Sequence, residues 1–311
     1  FSLVSSEVLP IVRLIISVFM RKVALISYMI HDLKGSEYSV AYNHVKLLSK
    51  RYELTVFFGT NGPFMGDRDK AFIDRLELLQ NIRLVYVRPS QLALFWDGFN
   101  RNYGISIAWN IAYRLWHKKV GKWDFSNFDI VHLLNPIGFN EPGFLLGNNY
   151  KLVWGPIGGV YLPSGKLIEH LPFSTKCYYR IRQMYQSLLL NYPFSRQSKM
   201  LARSNSVLVA HSDNLRILRK HRQDLVLLPE NGILSVEAGS SVDYNGRLKL
   251  VFVGSLDERK GILTLLKVIN MLDSSKYELH IVGDGALRRE VNNYVKRHGL
   301  DEVVKCYGKI S

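Results

Sequence analysis

Two short apolar runs with a helix-like segment between them stand out near the end of the sequence. Residues 248 to 285 read LKLVFVGSLDERKGILTLLKVINMLDSSKYELHIVGDG, in which LVFVG and ELHIVG bracket leucines and isoleucines at helical spacing. This pattern predicts a strand, a helix and a strand, with a glycine at the end of each strand. In a parallel sheet, such turns place free backbone amides and the positive end of a helix at the carboxyl edge, where phosphate binds.

Upstream of this stretch, apolar runs alternate with amphipathic segments. Strands are predicted at residues 23–28, 54–58, 82–87, 129–134, 151–154 and 206–210. Helices are predicted at residues 38–49, near 67–79, and at 167–203 with a break near Pro193. The aromatic-rich segment 92–123 fits helices packed on a sheet, with an apolar surface that touches a membrane as the alternative. Strands that alternate with helices predict an α/β fold with doubly wound parallel sheets.

Length and composition favour two domains. A chain of 311 residues with 47% hydrophobic content can bury two ordinary cores. A Ser/Gly-rich run without apolar periodicity predicts a linker at 236–247, between an amino-terminal domain at 20–235 and a carboxyl-terminal domain at 248–311. Residues 1–19 end in an apolar run too short to span a bilayer and lack the features of a signal peptide. We expect them to be an extension, with an interfacial anchor as the alternative.

Residues 248–311 hold 11 basic and 8 acidic residues, so most of the net charge of +15 lies in the longer amino-terminal part. Residues 166–222 contain 11 basic and 2 acidic residues, interleaved with tyrosines. Such a patch predicts attraction to an anionic membrane surface or a lipid-linked phosphate acceptor. Nucleic acid competes as a partner but has no recognition motif here, and a solvated basic helix is the simpler alternative. The two distant cysteines, Cys177 and Cys306, favour a reducing compartment over a disulfide framework or a metal site.

Several candidate functional residues follow from the predicted topology. The loops after Tyr28, Leu134 and Trp154 open on one edge of a parallel sheet. They bring together the helix start at Gly35 and Ser36, and the turn after Trp154. Ser36 as a helix cap and that turn as mere structure are the alternatives to ligand contact.

Two further candidates carry charge or a proton. His132 near the end of the fourth strand is either functional or a satisfied core histidine. Lys260 at a helix start is disfavoured by the helix dipole unless an anion lies nearby, and a diphosphate or a salt bridge with Asp257 or Glu258 supplies one. The sequence has no Asp-x-Asp metal motif, zinc-type histidine pair, Gly-x-Ser-x-Gly elbow or Walker loop, which predicts chemistry without a metal ion.

The order G-S-L-x-x-x-K-G, then V-G-D-G and the closing VVKCYG resembles the donor-binding half of a glycosyltransferase of family 4, with its two-domain B-type fold. The GSE after the first strand is also similar to that family, and WGPIGG is similar to a signature of one of its branches. The family usually has arginine after the first strand's glycine, whereas this chain has Ser255, with Arg259 as a substitute cation.

The resemblance implies two Rossmann-like domains, the second incomplete, and a retaining enzyme that moves a sugar from a nucleotide-diphosphate donor to an acceptor hydroxyl. It implies catalytic roles for His132 and Lys260. The implied donor-binding residues are Gly35, Ser36, Gly254, Ser255, Arg259, Lys260, Gly283, Asp284, Gly285 and Gly308. The implied acceptor-side residues are Glu37, Gly155, Pro156, Gly158 and Gly159.

The expected partners are a nucleotide sugar and a glycan or lipid-linked acceptor in bacterial-type surface polysaccharide or glycolipid assembly, without cofactor or nucleic acid. The expected location is the cytoplasm, at the inner membrane face. Relatives continue for about a hundred residues beyond Ser311, so we expect little activity from this chain alone. A sugar-nucleotide epimerase of the same fold and a non-catalytic membrane-associated module are the alternatives.

Overall fold

The computed structural model describes residues 20–32, 37–62, 64–103, 106–145, 150–160, 169, 173–230 and 246–310. The chain divides into two compact units, Phe1–Ile233 and Leu234–Ser311. The predicted extension at 1–19, most of the predicted linker, and the predicted donor residues Gly35 and Ser36 lie outside the described residues.

A seven-stranded parallel sheet covered by helices forms the first unit. Its strands are β1 (Lys22–Ser27), β2 (Glu53–Phe58), β3 (Ile82–Tyr86), β4 (Ile130–Asn135), β5 (Lys151–Ile157), β6 (Ser206–Val209) and β7 (Leu225–Leu227). Its helices are α1 (Glu37–Leu48), α2 (Lys70–Glu77), α3 (Gln91–Tyr103), α4 (Ser106–Val120), α5 (Phe173–Asn191), α6 (Arg196–Arg203) and α7 (Ser212–Leu218). The strand order β3-β2-β1-β4-β5-β6-β7 confirms the predicted α/β class.

Both faces of this sheet are buried, which explains the continuous apolar runs of its strands. On one face Leu25 of β1 belongs to a cluster with Val45 of α1, and on the other Ile26 belongs to a cluster with Trp116 of α4. The Trp116 indole Nε1 donates a hydrogen bond to the Val87 carbonyl at 2.8 Å. At Trp116, the aromatic segment 92–123 therefore packs in the core, as the interpretation as helices packed on a sheet predicts.

The first unit differs from the predicted pattern in two places. Strand β7 and helix α7 were not predicted. Strand β7 leaves almost no apolar pattern, because it has three residues, of which only Leu225 is buried. Strand β5 continues past Trp154 to Ile157, so Gly155 and Pro156 lie inside a strand instead of in a loop. No described helix combines the length and apolar content needed to cross a membrane.

The second unit contains a smaller parallel sheet. Its elements are β8 (Leu248–Val253), a 3₁₀ turn (Glu258–Lys260), α8 (Ile262–Ile269), β9 (Tyr277–Val282), α9 (Arg288–Arg297) and β10 (Val304–Gly308). The strand order is β10-β9-β8, with every pair parallel. The strand, helix and strand predicted between residues 248 and 282 are confirmed. Strand β8 lies at the sheet edge, where the Val253 side chain is 75% exposed.

The approach of β5 to β6 requires glycine at position 155. Gly155 has a φ of +119°, and a Cβ added to it would lie 2.2 Å from the backbone oxygen of Leu208. That oxygen belongs to the neighbouring strand and moves only if the strand pairing shifts. Gly159, four residues later, has a φ of +75° and no heavy atom within 4 Å of the same position.

Gly155→Ala is therefore expected to lower the free energy of unfolding of the first unit by about 3 kcal/mol, since backbone strain and overpacking each contribute about 1 to 3 kcal/mol. Gly159→Ala is the matched control in the same segment. It carries only the left-handed strain, about 1 to 2 kcal/mol. Urea unfolding of both variants measures the difference, and equal losses would contradict the close approach of the strands.

Candidate functional site

The loops that follow β1, β4 and β5 meet at the carboxyl edge of the first sheet. The chain passes from β1 outward to β3 on one side, and from β4 outward to β7 on the other, so β1 and β4 flank a topological switch point. Open parallel sheets bind ligands in the crevice at this point. Here the Glu37 Oε1 atom accepts a hydrogen bond from the Ile137 amide at 3.3 Å, and the Gly158 amide donates to the Ile137 carbonyl at 2.8 Å.

The side chain of Asn135, the last residue of β4, holds the two central strand ends together. Its Oδ1 atom accepts from the Met29 amide at 3.3 Å, and its Nδ2 atom donates to the Met29 carbonyl at 2.9 Å and to the Glu37 carbonyl at 3.4 Å. Asn135 is fully buried. This one amide thus fixes the start of α1 relative to β4.

Glu37, the first residue of α1, places a carboxyl group at the switch point. Burial raises its pKa from a usual value near 4.5 to about 7; the Ile137 amide opposes this shift and the charge of Glu230 adds to it. The Oε2 atom is buried and has no hydrogen-bond partner among the described residues. The carboxyl group can therefore exchange a proton, or bind a hydroxyl, near neutral pH. Glu37 was predicted to be an acceptor-side residue, and that role stays a prediction.

A group of charged residues lies around the loop that follows β4, and we call Arg114, Glu141 and Arg196 the arginine cluster. Arg114 of α4 donates two hydrogen bonds to Glu141, each of 3.1 Å. Burial raises the pKa of Glu141, and burial followed by the charge of Arg114 lowers the pKa of Arg196. The sequence did not reveal this cluster, since its members come from a predicted core helix, a loop and a basic segment. Of the three residues, only Glu141 could have been found from the sequence, because it is a carboxylate that follows a predicted strand within a few residues.

His132 lies deeper than the sequence suggests. It is the third of the six residues of β4, which places it roughly 10 Å from the end of that strand at about 3.3 Å per residue. Its Nε2 atom donates to the Gly155 carbonyl at 2.6 Å, and burial lowers its pKa to about 4. The strand predicted at 129–134 ends one residue earlier than β4, so His132 lies one residue further from the strand end than expected. The buried hydrogen bond favours the core alternative, and the catalytic role stays a prediction.

Four residues of the predicted acceptor-side loop have different surroundings. Gly155 and Pro156 belong to β5, and Gly158 forms an isolated bridge with Gly138 after β4. The Gly159 carbonyl accepts a hydrogen bond from the Gln186 side chain of α5 at 2.5 Å. Only the last two glycines of WGPIGG therefore extend beyond the sheet at the switch point.

In the second unit, the turns after β8 and β9 bind each other through their main chains. The Gly254 amide donates to the Val282 carbonyl at 3.0 Å, and the Leu256 amide donates to the Asp284 carbonyl at 3.0 Å. The expectation of free amides is wrong for these two groups. A Cβ on Gly283 would lie 1.8 Å from the Gly254 oxygen. Gly283 is therefore needed for the two turns to pack, independently of any contact with a donor.

The same close packing applies to the neighbouring predicted donor residues. A Cβ on Gly285 would lie 2.5 Å from the Leu256 oxygen. Asp284 forms an ion pair with Arg288 at 2.7 Å, and hydrogen bonds from the Gly285 amide and Arg288 lower its pKa. Gly308 ends β10, and its carbonyl accepts from the Gly283 amide at 2.8 Å. The donor contacts of these residues stay predictions.

Lys260 leaves its ammonium group exposed at this edge. It ends the 3₁₀ turn before α8, and its backbone amide donates to the capping Asp257 carboxylate at 3.2 Å. No ion pair of Lys260 with Asp257 or Glu258 is formed among the described residues, so the salt-bridge alternative is not observed. The Ser255 hydroxyl donates to the other Asp257 oxygen at 2.7 Å.

Three further predictions concern Arg259, the cysteines and metal ions. The side chain of Arg259, the substitute cation, lies outside the described residues. Cys177 and Cys306 are free thiols. In the described ranges, no three His, Cys, Asp or Glu side chains group as metal ligands. Independence of a metal ion stays a prediction.

The raised pKa of Glu37 predicts a pH dependence of stability. Between about pH 4.5 and pH 7 the folded chain keeps a proton that the unfolded chain releases, so stability falls as pH rises through this window. Glu37→Gln has no such proton. Relative to the unsubstituted chain, the variant is expected to gain up to about 3 kcal/mol between pH 4.5 and pH 8. Urea unfolding of both proteins at the two pH values tests this, and a constant difference would contradict the burial of the carboxyl group.

Comparison of the sequence with known families gives a match in the second unit. Residues 238–311 match the family model described as Glycosyl transferases group 1. The comparison with curated proteins gives no match.

Solved structures with a similar fold cover almost the whole chain. The lipopolysaccharide outer core galactosyltransferase WaaB in its apo form is 14% identical, with a TM-score of 0.53 over 93% of this chain and 68% of that one. WaaG, a glycosyltransferase involved in lipopolysaccharide biosynthesis, is 15% identical, with a TM-score of 0.53 over 93% and 70%. Anabaena Alr3699/HepE in complex with UDP-glucose is 12% identical, with a TM-score of 0.50 over 93% and 69%. The chain therefore has the α/β fold of B-type glycosyltransferases, and its residues 238–311 match glycosyl transferases group 1.

Proposed function

We propose that this chain is a retaining glycosyltransferase that moves a sugar from a nucleotide-diphosphate sugar to an acceptor hydroxyl. The donor binds at the carboxyl edge of the second unit, and the acceptor binds at the switch point of the first. The family-4 assignment, the branch with the WGPIGG signature and independence of a metal ion belong to the same proposal. A role in surface polysaccharide or glycolipid assembly is also proposed. It agrees with WaaB being a lipopolysaccharide outer core galactosyltransferase and with WaaG being involved in lipopolysaccharide biosynthesis.

One observation carries the proposal. The glycosyl transferases group 1 match spans the turn after β8, where the Lys260 ammonium is exposed and has no ion-pair partner among the described residues. A diphosphate gives that cation a counter-charge, and the UDP-glucose bound in the HepE complex is a ligand of this class. At an effective dielectric constant near 20 and about 4 Å, two unit charges attract by roughly 4 kcal/mol before desolvation and screening by solvent.

The chemistry breaks the bond between the anomeric carbon of the donor and its diphosphate oxygen. A bond from the acceptor oxygen to that carbon replaces it on the same face, and the hydroxyl proton passes to the departing diphosphate. Lys260 stabilises the negative charge that develops on the leaving group, which is the usual electrostatic contribution to such a step. Glu37 Oε2 accepts a hydrogen bond from the acceptor and orients it. His132 holds Gly155 and β5 in place through its hydrogen bond to the Gly155 carbonyl, and its direct catalytic role stays a prediction.

Nucleotide binding tests the donor site. Lys260→Ala is expected to weaken UDP binding about tenfold or more, since a hydrogen bond to a charged group contributes about 1.5 to 3 kcal/mol. Lys267→Ala removes another exposed lysine, in α8, and is the matched control. Titration calorimetry on the chain measures both. Equal affinities for UDP would remove Lys260 from the donor site, and a free epimerised sugar nucleotide formed without acceptor would favour an epimerase.

We also propose that α5 lies on an anionic membrane surface at the cytoplasmic side. Ile181, Met184 and Leu188 of α5 and Tyr192 just after it recur at helical spacing, and each is more than half exposed. The exposed Arg180 lies beside this stripe. An apolar stripe flanked by basic residues is typical of helices that lie in the membrane interface. The stripe favours this surface over a merely solvated basic helix.

Vesicle binding tests the α5 stripe. Leu188→Glu is expected to weaken binding to vesicles that contain phosphatidylglycerol by about tenfold, since it removes an apolar contact with the lipid and adds a charge of the same sign as the surface. Leu78→Glu makes the same change at a residue that is 82% exposed and follows α2. Co-sedimentation compares the two variants with neutral vesicles as reference. If both variants bind as the unsubstituted chain does, α5 is not the membrane contact.

A further inference from the structure

The arginine cluster contains more positive than negative charge in a partly buried place. The Glu141 side chain is 5% exposed and is occupied by both hydrogen bonds from Arg114. The Arg196 Nη1 atom is buried and has no hydrogen-bond partner among the described residues. A buried N–H group that lacks a partner is costly, because its desolvation is not offset. The two arginines and one glutamate therefore leave a net positive charge, which one bound anion would neutralise.

Two more donors lie beside Arg196 and also lack partners in the described part of the chain. The Tyr113 hydroxyl is buried without a partner, and the Tyr113 ring contacts the His117 ring, with 5.6 Å between the ring centroids. The His117 Nδ1 atom accepts from the Phe144 amide at 3.0 Å, so the neutral ring carries its proton on Nε2, which is also unpaired. The Phe144 ring lies 4.6 Å from the Arg196 guanidinium and packs against His117. Ring contacts thus link Tyr113 to His117, His117 to Phe144, and Phe144 to the Arg196 guanidinium.

Unpaired acceptors occur in the same region. Glu37 Oε2, Asn140 Oδ1 and Gln186 Oε1 are buried without described partners. Glu37 is within electrostatic reach of Tyr113, and the backbone of Asn140 is bound by Gln197 of α6 at 2.9 Å. Unpaired acceptors suit hydroxyl groups, whereas the unpaired donors of Arg196 and Tyr113 suit an oxyanion. The two sets together suit a sugar that carries one anionic group.

We propose that the acceptor carries an oxyanion, a phosphate ester or a carboxylate, and that Arg196 binds it with the help of Tyr113. This inference rests on the proposed transferase function and adds the chemical class of its acceptor. The guanidinium presents a planar fork of N–H groups that matches two oxygens of such an anion. Arg114 and Glu141 bind each other, so they act as positioning residues that shape the site. Glu141 also repels the anion, so loss of the Glu141 charge and loss of the Arg196 charge are expected to change the anion affinity in opposite directions.

Direct binding of small acceptor analogues to the 311-residue chain tests the proposal. The probes are glucose 6-phosphate, glucuronate and unsubstituted glucose at equal concentrations, measured by ligand-observed NMR titration. We expect at least one anionic probe to bind more tightly than glucose, and the stronger of the two identifies the anion. Arg196→Gln is expected to weaken that probe about tenfold or more, whereas Arg196→Lys retains part of the affinity. Glu141→Gln is expected to strengthen it severalfold, because one negative charge is removed.

Arg203→Gln is the matched control, since Arg203 is an exposed arginine at the end of the same helix α6. Thermal unfolding of each variant checks its fold, and the opposite signs of the Arg196 and Glu141 variants separate recognition from mere structure. Equal binding of all three probes, or anion binding unaffected by Arg196→Gln, overturns the proposal. Repeating the titration with Lys260→Ala excludes an anion held at the donor turn. UDP binding by the same samples reports on the proposed transferase separately.

Discussion

The pairing of β1 with β4 is the contact on which the rest of the first unit depends. Parallel neighbours cannot be joined by a hairpin, so nothing in the local chain holds their carboxyl ends together. Asn135 does so with an amide that meets both the N–H and the C=O of Met29. The same side chain reaches the Glu37 carbonyl, so the start of α1 and the carboxyl group at the switch point follow from this one contact. Every group at that edge is positioned relative to it.

Close approach of main chains is the second constraint, and it changes the meaning of the glycine motifs. Gly155 admits the Leu208 carbonyl from the neighbouring strand, and Gly283 admits the Gly254 carbonyl from the neighbouring turn. Both glycines lie in segments that resemble ligand-binding signatures, yet a backbone atom of the protein already occupies the place of the missing side chain. Such a glycine shapes the edge on which a ligand rests. The side chains around the glycine are left to recognise the ligand.

The two edges hold their charges in different surroundings. Glu141 and the Oε2 atom of Glu37 are buried in the first unit, where desolvation raises the pKa of both carboxyl groups. Lys260 and the Asp284–Arg288 pair are exposed in the second, where water and salt screen them. Exposed charge suits attraction of a strongly anionic nucleotide from solution. Buried and unpaired groups discriminate between ligands more sharply, because a wrong ligand leaves them without partners.

The sequence by itself determined the alternation of strands and helices, because strands buried on both faces must be apolar throughout and the helices between them must be amphipathic. It also determined the turn around Lys260, whose residues are contiguous. Tertiary structure decided the rest. Strand β7 exists because β6 pairs with it, and its three residues have no pattern of their own. The depth of His132 depends on where β4 ends, and the arginine cluster joins a helix, a loop and another helix that only the folded sheet brings together, since spatial neighbours far apart in the chain leave no periodic signal.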